Sequence, residues 1–104
     1  MRNYDPGWSD LQRGLYDESY DIGLSWATDP GTSPDDLQRL LELGDTAETG
    51  ALAGGELDFG PLVDGVAEAT GEGVGRVPAD FGDPGFRGFV EGARDGAPDD
   101  VYGV

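Results

Sequence analysis

The sequence predicts an all-α fold: a small single domain of about four short helices joined by Gly-rich loops. Two observations carry this prediction. Helix-start signals recur at Ser9–Gln12, Ser33–Pro34, Gly60–Pro61 and Asp83–Pro84, each followed by apolar residues at helical spacing. The stretch that alternates as a strand would, Tyr20, Ile22, Leu24 and Trp26, has only short, Gly-rich segments to pair with, around Val74–Val77 and Val101–Val104. A lone strand is not stable in water. The alternative class is α+β, should 20–27 be a strand.

Residues 1–8 form an N-terminal arm whose Tyr4 and Trp8 can pack back onto the domain. Ser9 and Gln12 have the spacing of a capping box, in which each side chain satisfies a backbone N–H that the first helical turn leaves unpaired. The first helix then runs from about Asp10 to about Ala27, with Leu11, Leu15, Ile22 and Trp26 on one face. Ser33, Pro34, Asp35 and Asp36 open the second, since a hydroxyl cap, a preset φ and negative charge all suit a helix N-terminus. It is expected over Pro34–Leu43, with Leu37, Leu40 and Leu41 inward and Gly44 as its stop.

The stretch from Gly44 to Gly60 is expected to be loop. Gly60-Pro61 begins the third helix, with Leu62, Val63, Val66 and Ala67 apolar, and Gly71 ends it. Asp83-Pro84 begins the fourth, where Phe86, Phe89, Val90 and Ala93 fall at i, i+3, i+4 and i+7. Residues 97–104 form an extended tail. The expected core contains Leu15, Leu40, Val66, Phe86 and Phe89.

Composition bounds the function. The net charge of −16 disfavours direct binding to nucleic acid or an anionic membrane and favours a basic protein surface. No apolar run approaches the ~20 residues of a membrane span. The N-terminal MRNYDPGWSD lacks the apolar stretch of a secretory signal, so a cytoplasmic or virion-associated location is expected. His, Cys and Lys are all absent, which removes the usual nucleophile–base pairs and Schiff-base chemistry. The chain is therefore expected not to be an enzyme. Six Arg without Lys, beside 22 acids, resembles the composition of halophile proteins, and the Gly, Ala, Arg, Pro and Asp content suits a GC-rich genome.

Four features are candidates for chemistry or binding. Gly71–Arg76, GEGVGR, follows a helix rather than a strand and carries Glu72 where a phosphate would sit, so it is read as a helix end and linker. The twelve residues from Asp45 to Glu56 place Asp45 at loop position 1, Gly50 at 6, Leu52 at 8 and Glu56 at 12. They resemble an EF-hand calcium loop in those landmarks but have Ala47 at position 3 and Thr49 at position 5. No cofactor is expected, with weak Ca²⁺ binding through Asp45 and Glu56 as the alternative.

Gly88, Gly92 and Gly96 recur every four residues in the fourth helix. Each costs up to about 1 kcal/mol relative to Ala, so a close helix neighbour should offset them. That neighbour lies either within the fold or across an interface that Phe89 would share. Asp64, Glu68 and Glu72 form a ladder at i, i+4 and i+8 of the third helix, and Asp17 and Asp21 repeat the spacing in the first. Rungs about 6 Å apart would match roughly every second phosphate of a nucleic-acid strand.

These features support a non-enzymatic acidic protein-binding module. It resembles the small acidic counter-defence proteins of phages and plasmids in size, charge and lack of catalytic residues. The function that resemblance implies is a nucleic-acid-mimicking inhibitor of a basic nucleic-acid-binding protein. The alternatives are a small structural or assembly subunit of a virion or larger complex in a halophilic or GC-rich host, and a weak Ca²⁺ binder. Partner identity and oligomeric state are left open.

Overall fold

A computed structural model describes residues 4–50, 55–73, 75–78, 80 and 82–97. Its elements, in chain order, are α1 (Asp10–Thr28), α2 (Pro34–Glu48), β1 (Glu56–Leu57), α3 (Gly60–Thr70), β2 (Val77–Pro78) and α4 (Pro84–Gly96). The fold is all-α, and among the described residues the only sheet is one antiparallel pair in which Leu57 stands opposite Val77. Tyr20–Trp26 lies inside α1 and is helical. The expected tail falls largely outside the described residues, as do the first three residues of the arm.

Local signals set most helix boundaries. Ser9 and Gln12 form the capping box at the start of α1. Gly71, at φ +73°, ends α3 in the left-handed conformation that favours glycine. Helix α2 runs through the expected stop at Gly44 and on to Glu48, four residues further. Gly44 is helical and buried because α4 crosses it closely: a Cβ there would lie 2.6 Å from Val90 Cγ1. The left-handed glycine after α2 is Gly50, at φ +83°.

Asp83 caps α4 by accepting the Phe86 N–H at 2.9 Å. Burial holds its carboxyl above the ordinary carboxylate range and the Asp80 carboxylate adds to this, against the opposing N–H groups of Phe86 and Gly85. A carboxyl whose pKa is higher folded than unfolded favours folding below its unfolded value, and that contribution is lost as pH rises through the folded value. At pH 7 its ionisation therefore works against the fold. Asp83→Asn keeps an acceptor for Phe86, so it should raise the denaturation midpoint at pH 7, and the gain should vanish near pH 3, where Asp83 is itself neutral.

The central contact is between α1 and α4. Gly88 faces Tyr16, Gly92 faces Tyr20 and Gly96 faces Leu24, so the two helices run parallel. A Cβ at Gly88 would lie 2.5 Å from the Tyr16 carbonyl oxygen, and one at Gly92 would lie 2.1 Å from that of Tyr20. From the other side, a Cβ on Gly23 would lie 2.3 Å from the Phe89 carbonyl oxygen. The glycine strip therefore meets backbone with backbone, the arrangement that small residues at four-residue spacing permit. The neighbour that offsets these glycines is within the chain: Gly88 and Gly92 are buried against α1, as is Phe89, and Gly96 is half-buried.

This contact also fixes the rotation of α1. Its buried residues are Tyr16, Ser19, Tyr20, Gly23 and Ala27. Leu15 is only half-buried, which corrects its expected place in the core; on the face it shares, Leu11 is 87% exposed and Ile22 and Trp26 are half-buried against the core. Small Ser19, Gly23 and Ala27 allow α4 to approach, whereas branched side chains would hold it away. The Leu/Ile/Trp stripe is thereby turned roughly 100° round the helix. Leu40, Val66, Phe86 and Phe89 are buried as expected.

Polar contacts fix the register of the pair. The Tyr16 hydroxyl donates to buried Glu91 at 3.1 Å, and Arg87 Nε donates to the other Glu91 oxygen at 2.9 Å. The Tyr20 hydroxyl donates to Asp95 one turn further on. The arm closes over this end: Trp8 is buried, its indole N–H donates to the Gly82 carbonyl at 3.1 Å, and the Arg87 guanidinium lies 5.4 Å from its ring. Tyr4 packs edge-on against Tyr16.

Candidate functional site

The displaced apolar stripe of α1 faces α3 and forms the floor of a seam between the two helices. One recess, of about 520 Å³, has Ile22 and Trp26 of α1, Pro61 and Gly65 of α3 and Phe89 of α4 in its lining. Gly65 leaves room for the Phe89 ring, whose Cε2 atom would lie 2.3 Å from a Cβ there. The Trp26 and Phe89 rings lie 5.4 Å apart, so the floor is partly aromatic. Around it stand four carboxylate residues: Asp21 and Asp29 from the α1 side, Asp64 and Glu68 from α3.

A second recess, of about 500 Å³, lies further along the same helices. Leu11, Leu15 and Ala69 supply its apolar lining, and Asp10, Glu18 and Glu72 its charge. The first recess pairs the end of α1 with the start of α3, and the second pairs the start of α1 with the end of α3, so these helices are antiparallel. On α1 the residues Leu11, Leu15, Glu18, Ile22 and Ser25 make one stripe at helical spacing, with Asp29 just past the helix end. Seven acidic residues line the two recesses, and among the described residues no arginine does.

The structure thus brings together three of the five carboxylates expected to act, Asp21, Asp64 and Glu68, in one recess, with Glu72 in the next. Asp17 stands apart, accepting the Tyr4 hydroxyl at 2.7 Å. The ladder on α3 has two helical rungs rather than three. Glu72 lies beyond left-handed Gly71, where the chain has left the helix, which corrects its placement at i+8. Sequence analysis missed Asp29 and the floor residues Ile22 and Trp26. A signal was present, since Glu18 and Asp29 interrupt the Leu11–Leu15–Ile22–Trp26 stripe as acids seldom interrupt a core face.

The described EF-hand landmarks lie in different elements. Asp45 lies in the last turn of α2, where its carboxylate accepts Arg94 Nη2 at 2.8 Å beside Glu48 at 3.0 Å. Glu56 lies in β1, 3.9 Å from the Arg76 guanidinium. Leu52, the apolar position of that loop, is outside the described residues. Among the described residues no three acidic side chains are grouped to hold a metal ion, and no helix is long and apolar enough to cross a membrane. Comparison with protein-family models, curated proteins and solved structures gives no match in any of the three.

Proposed function

We infer that this chain is a non-enzymatic binding module that uses the α1–α3 seam to engage a basic surface of another protein. One observation carries the reading: Asp21, Asp29, Asp64 and Glu68 surround an apolar recess that no arginine among the described residues lines. The acidity of the chain as a whole is even, but here it is coupled to a concave apolar surface. Apolar contact supplies affinity, while the negative charge around it selects the partner and speeds encounter. Absence of His, Cys and Lys from the sequence supports a binding role over a catalytic one.

A pure phosphate mimic would need a row of carboxylates rather than an apolar floor, and the α3 ladder loses its third rung at Gly71. The basic-protein reading is therefore preferred over nucleic-acid mimicry. Affinity purification from the source organism tests it, comparing the wild type with the triple variant Asp21→Asn/Asp64→Asn/Glu68→Gln. The wild type should retain a basic protein in dilute salt and release it in concentrated salt, and the triple variant should not retain it. Equal recovery by the two baits would overturn the reading.

A further inference from the structure

We propose that the occupant of the seam is a cationic amphipathic helix of a partner protein, laid along α1 and α3 with its apolar stripe down. This rests on the binding-module reading above and adds the form of the partner.

The seam's own dimensions come first. Leu11 and Trp26 are fifteen residues apart on one face of α1, a distance of about 22 Å at 1.5 Å per residue. Leu15 and Ile22 lie between them, so the apolar floor runs most of the length of the helix. Leu11 is 87% exposed, which leaves its end of the floor open to a partner. Carboxylates stand on both banks: Asp10 and Asp21 on α1, Asp64, Glu68 and Glu72 on α3. The complementary object is rod-like, with an apolar stripe flanked by positive charge.

The walls then decide between backbone conformations. Both are α-helices, whose backbone groups are satisfied within each helix away from their ends. An extended peptide entering the seam would bring its own unpaired N–H and C=O groups to walls with nothing to offer them. A helix brings a backbone already paired and presents anchors at i, i+3, i+4 and i+7.

Charge excludes the other occupants. A second copy of this chain carries the same −16, and nucleic acid or an anionic membrane is repelled for the same reason. A small polyamine would pair with the rim but leave Leu11, Leu15, Ile22 and Trp26 exposed to water.

The test uses the full chain and two synthetic peptides of about 18 residues, long enough as helices to span the seam. Both contain only Leu and Lys in equal proportion. One places every Leu on a single helical face and the other distributes them evenly round the helix. Affinities are measured at about 0.1 M salt, where screening acts over about 10 Å. The variants are the seam triple Asp21→Asn/Asp64→Asn/Glu68→Gln, a control triple Asp36→Asn/Glu42→Gln/Asp58→Asn, and Leu11→Gln. All three control residues are exposed and line neither recess.

The one-faced peptide should bind at least about tenfold more tightly than the distributed one and become helical on binding. The seam triple should weaken it about tenfold and Leu11→Gln about threefold, with the control triple changing it less than about threefold. Equal binding of the two peptides, or equal losses in the two triples, would overturn the helix proposal while leaving the binding-module reading in place. If neither peptide bound at this salt concentration, both would fall.

Discussion

Gly92→Ala should be the most damaging single methyl that can be added to this protein. The new Cβ would lie 2.1 Å from the Tyr20 carbonyl oxygen and 2.9 Å from the Leu24 amide nitrogen. Both are backbone atoms of α1 and cannot swing aside as a side chain can. Helices α1 and α4 would have to separate along their shared strip, loosening Gly88 against Tyr16 and straining the bonds from Tyr16 and Tyr20 to Glu91 and Asp95. Overpacking a core costs about 1–3 kcal/mol and sometimes more. The gain in helix propensity from Gly to Ala returns at most about 1 kcal/mol.

With the cost at the upper end of that range, a net loss of about 2 kcal/mol is expected, a large fraction of the roughly 5–15 kcal/mol that holds a domain folded. Gly14→Ala is the control, since a Cβ there meets nothing within 4 Å. It should raise the urea midpoint, whereas Gly92→Ala lowers it. Equal midpoints for the two variants would mean that α1 and α4 are not in backbone contact.

The second large effect is kinetic. Replacing Asp21, Asp64 and Glu68 by Asn, Asn and Gln should slow association with a basic partner by about tenfold, and the difference should disappear in concentrated salt. The fold should be unharmed. Asp64 and Glu68 repel each other at i, i+4, and relieving such a pair stabilises a helix by about 0.2–0.5 kcal/mol. Stopped-flow association paired with a urea titration separates the two effects. Slower association with an unchanged or higher midpoint places the loss in recognition, and unaltered association across the salt range would contradict the role assigned to these residues.

Much of the fold was legible because its boundaries are local chemistry. Ser9 with Gln12, Pro34, Gly60-Pro61, Gly71 and Asp83-Pro84 each act within one turn of the chain, and each lies at or beside the end of a helix. Gly44 misled for the opposite reason. Its role is set by Val90, almost fifty residues away, and a glycine that admits a neighbour looks in sequence like one that stops a helix. Tyr16 and Leu15 show the same limit. Which of them enters the core depends on the rotation of α1, and that rotation follows from Gly23 meeting Phe89 rather than from hydrophobicity.

The site was legible in its charges but not in its floor. Asp21, Asp64 and Glu68 were identifiable as solvent-facing acids at helical spacing. Their convergence required α1 and α3 to lie antiparallel, which no local pattern encodes. Ile22 and Trp26 were legible only as members of one apolar face, because apolar periodicity cannot show that such a face, half-buried against the core, also lines a recess.

The central claim is that the acidity acts through the α1–α3 seam rather than as a uniform coat. The two tryptophans make this directly measurable. Trp26 lines the seam, whereas Trp8, in the N-terminal arm, is buried against Tyr16 and Arg87. Their indole N–H resonances can be followed in a single NMR titration of the full chain with the one-faced Leu/Lys peptide. The Trp26 signal should shift progressively to saturation, together with the amides of Ile22, Asp64 and Glu68, while Trp8 and the exposed face of α2 stay in place. Shifts of similar size at both indoles and along α2, or movement of Trp8 alone, would contradict the claim.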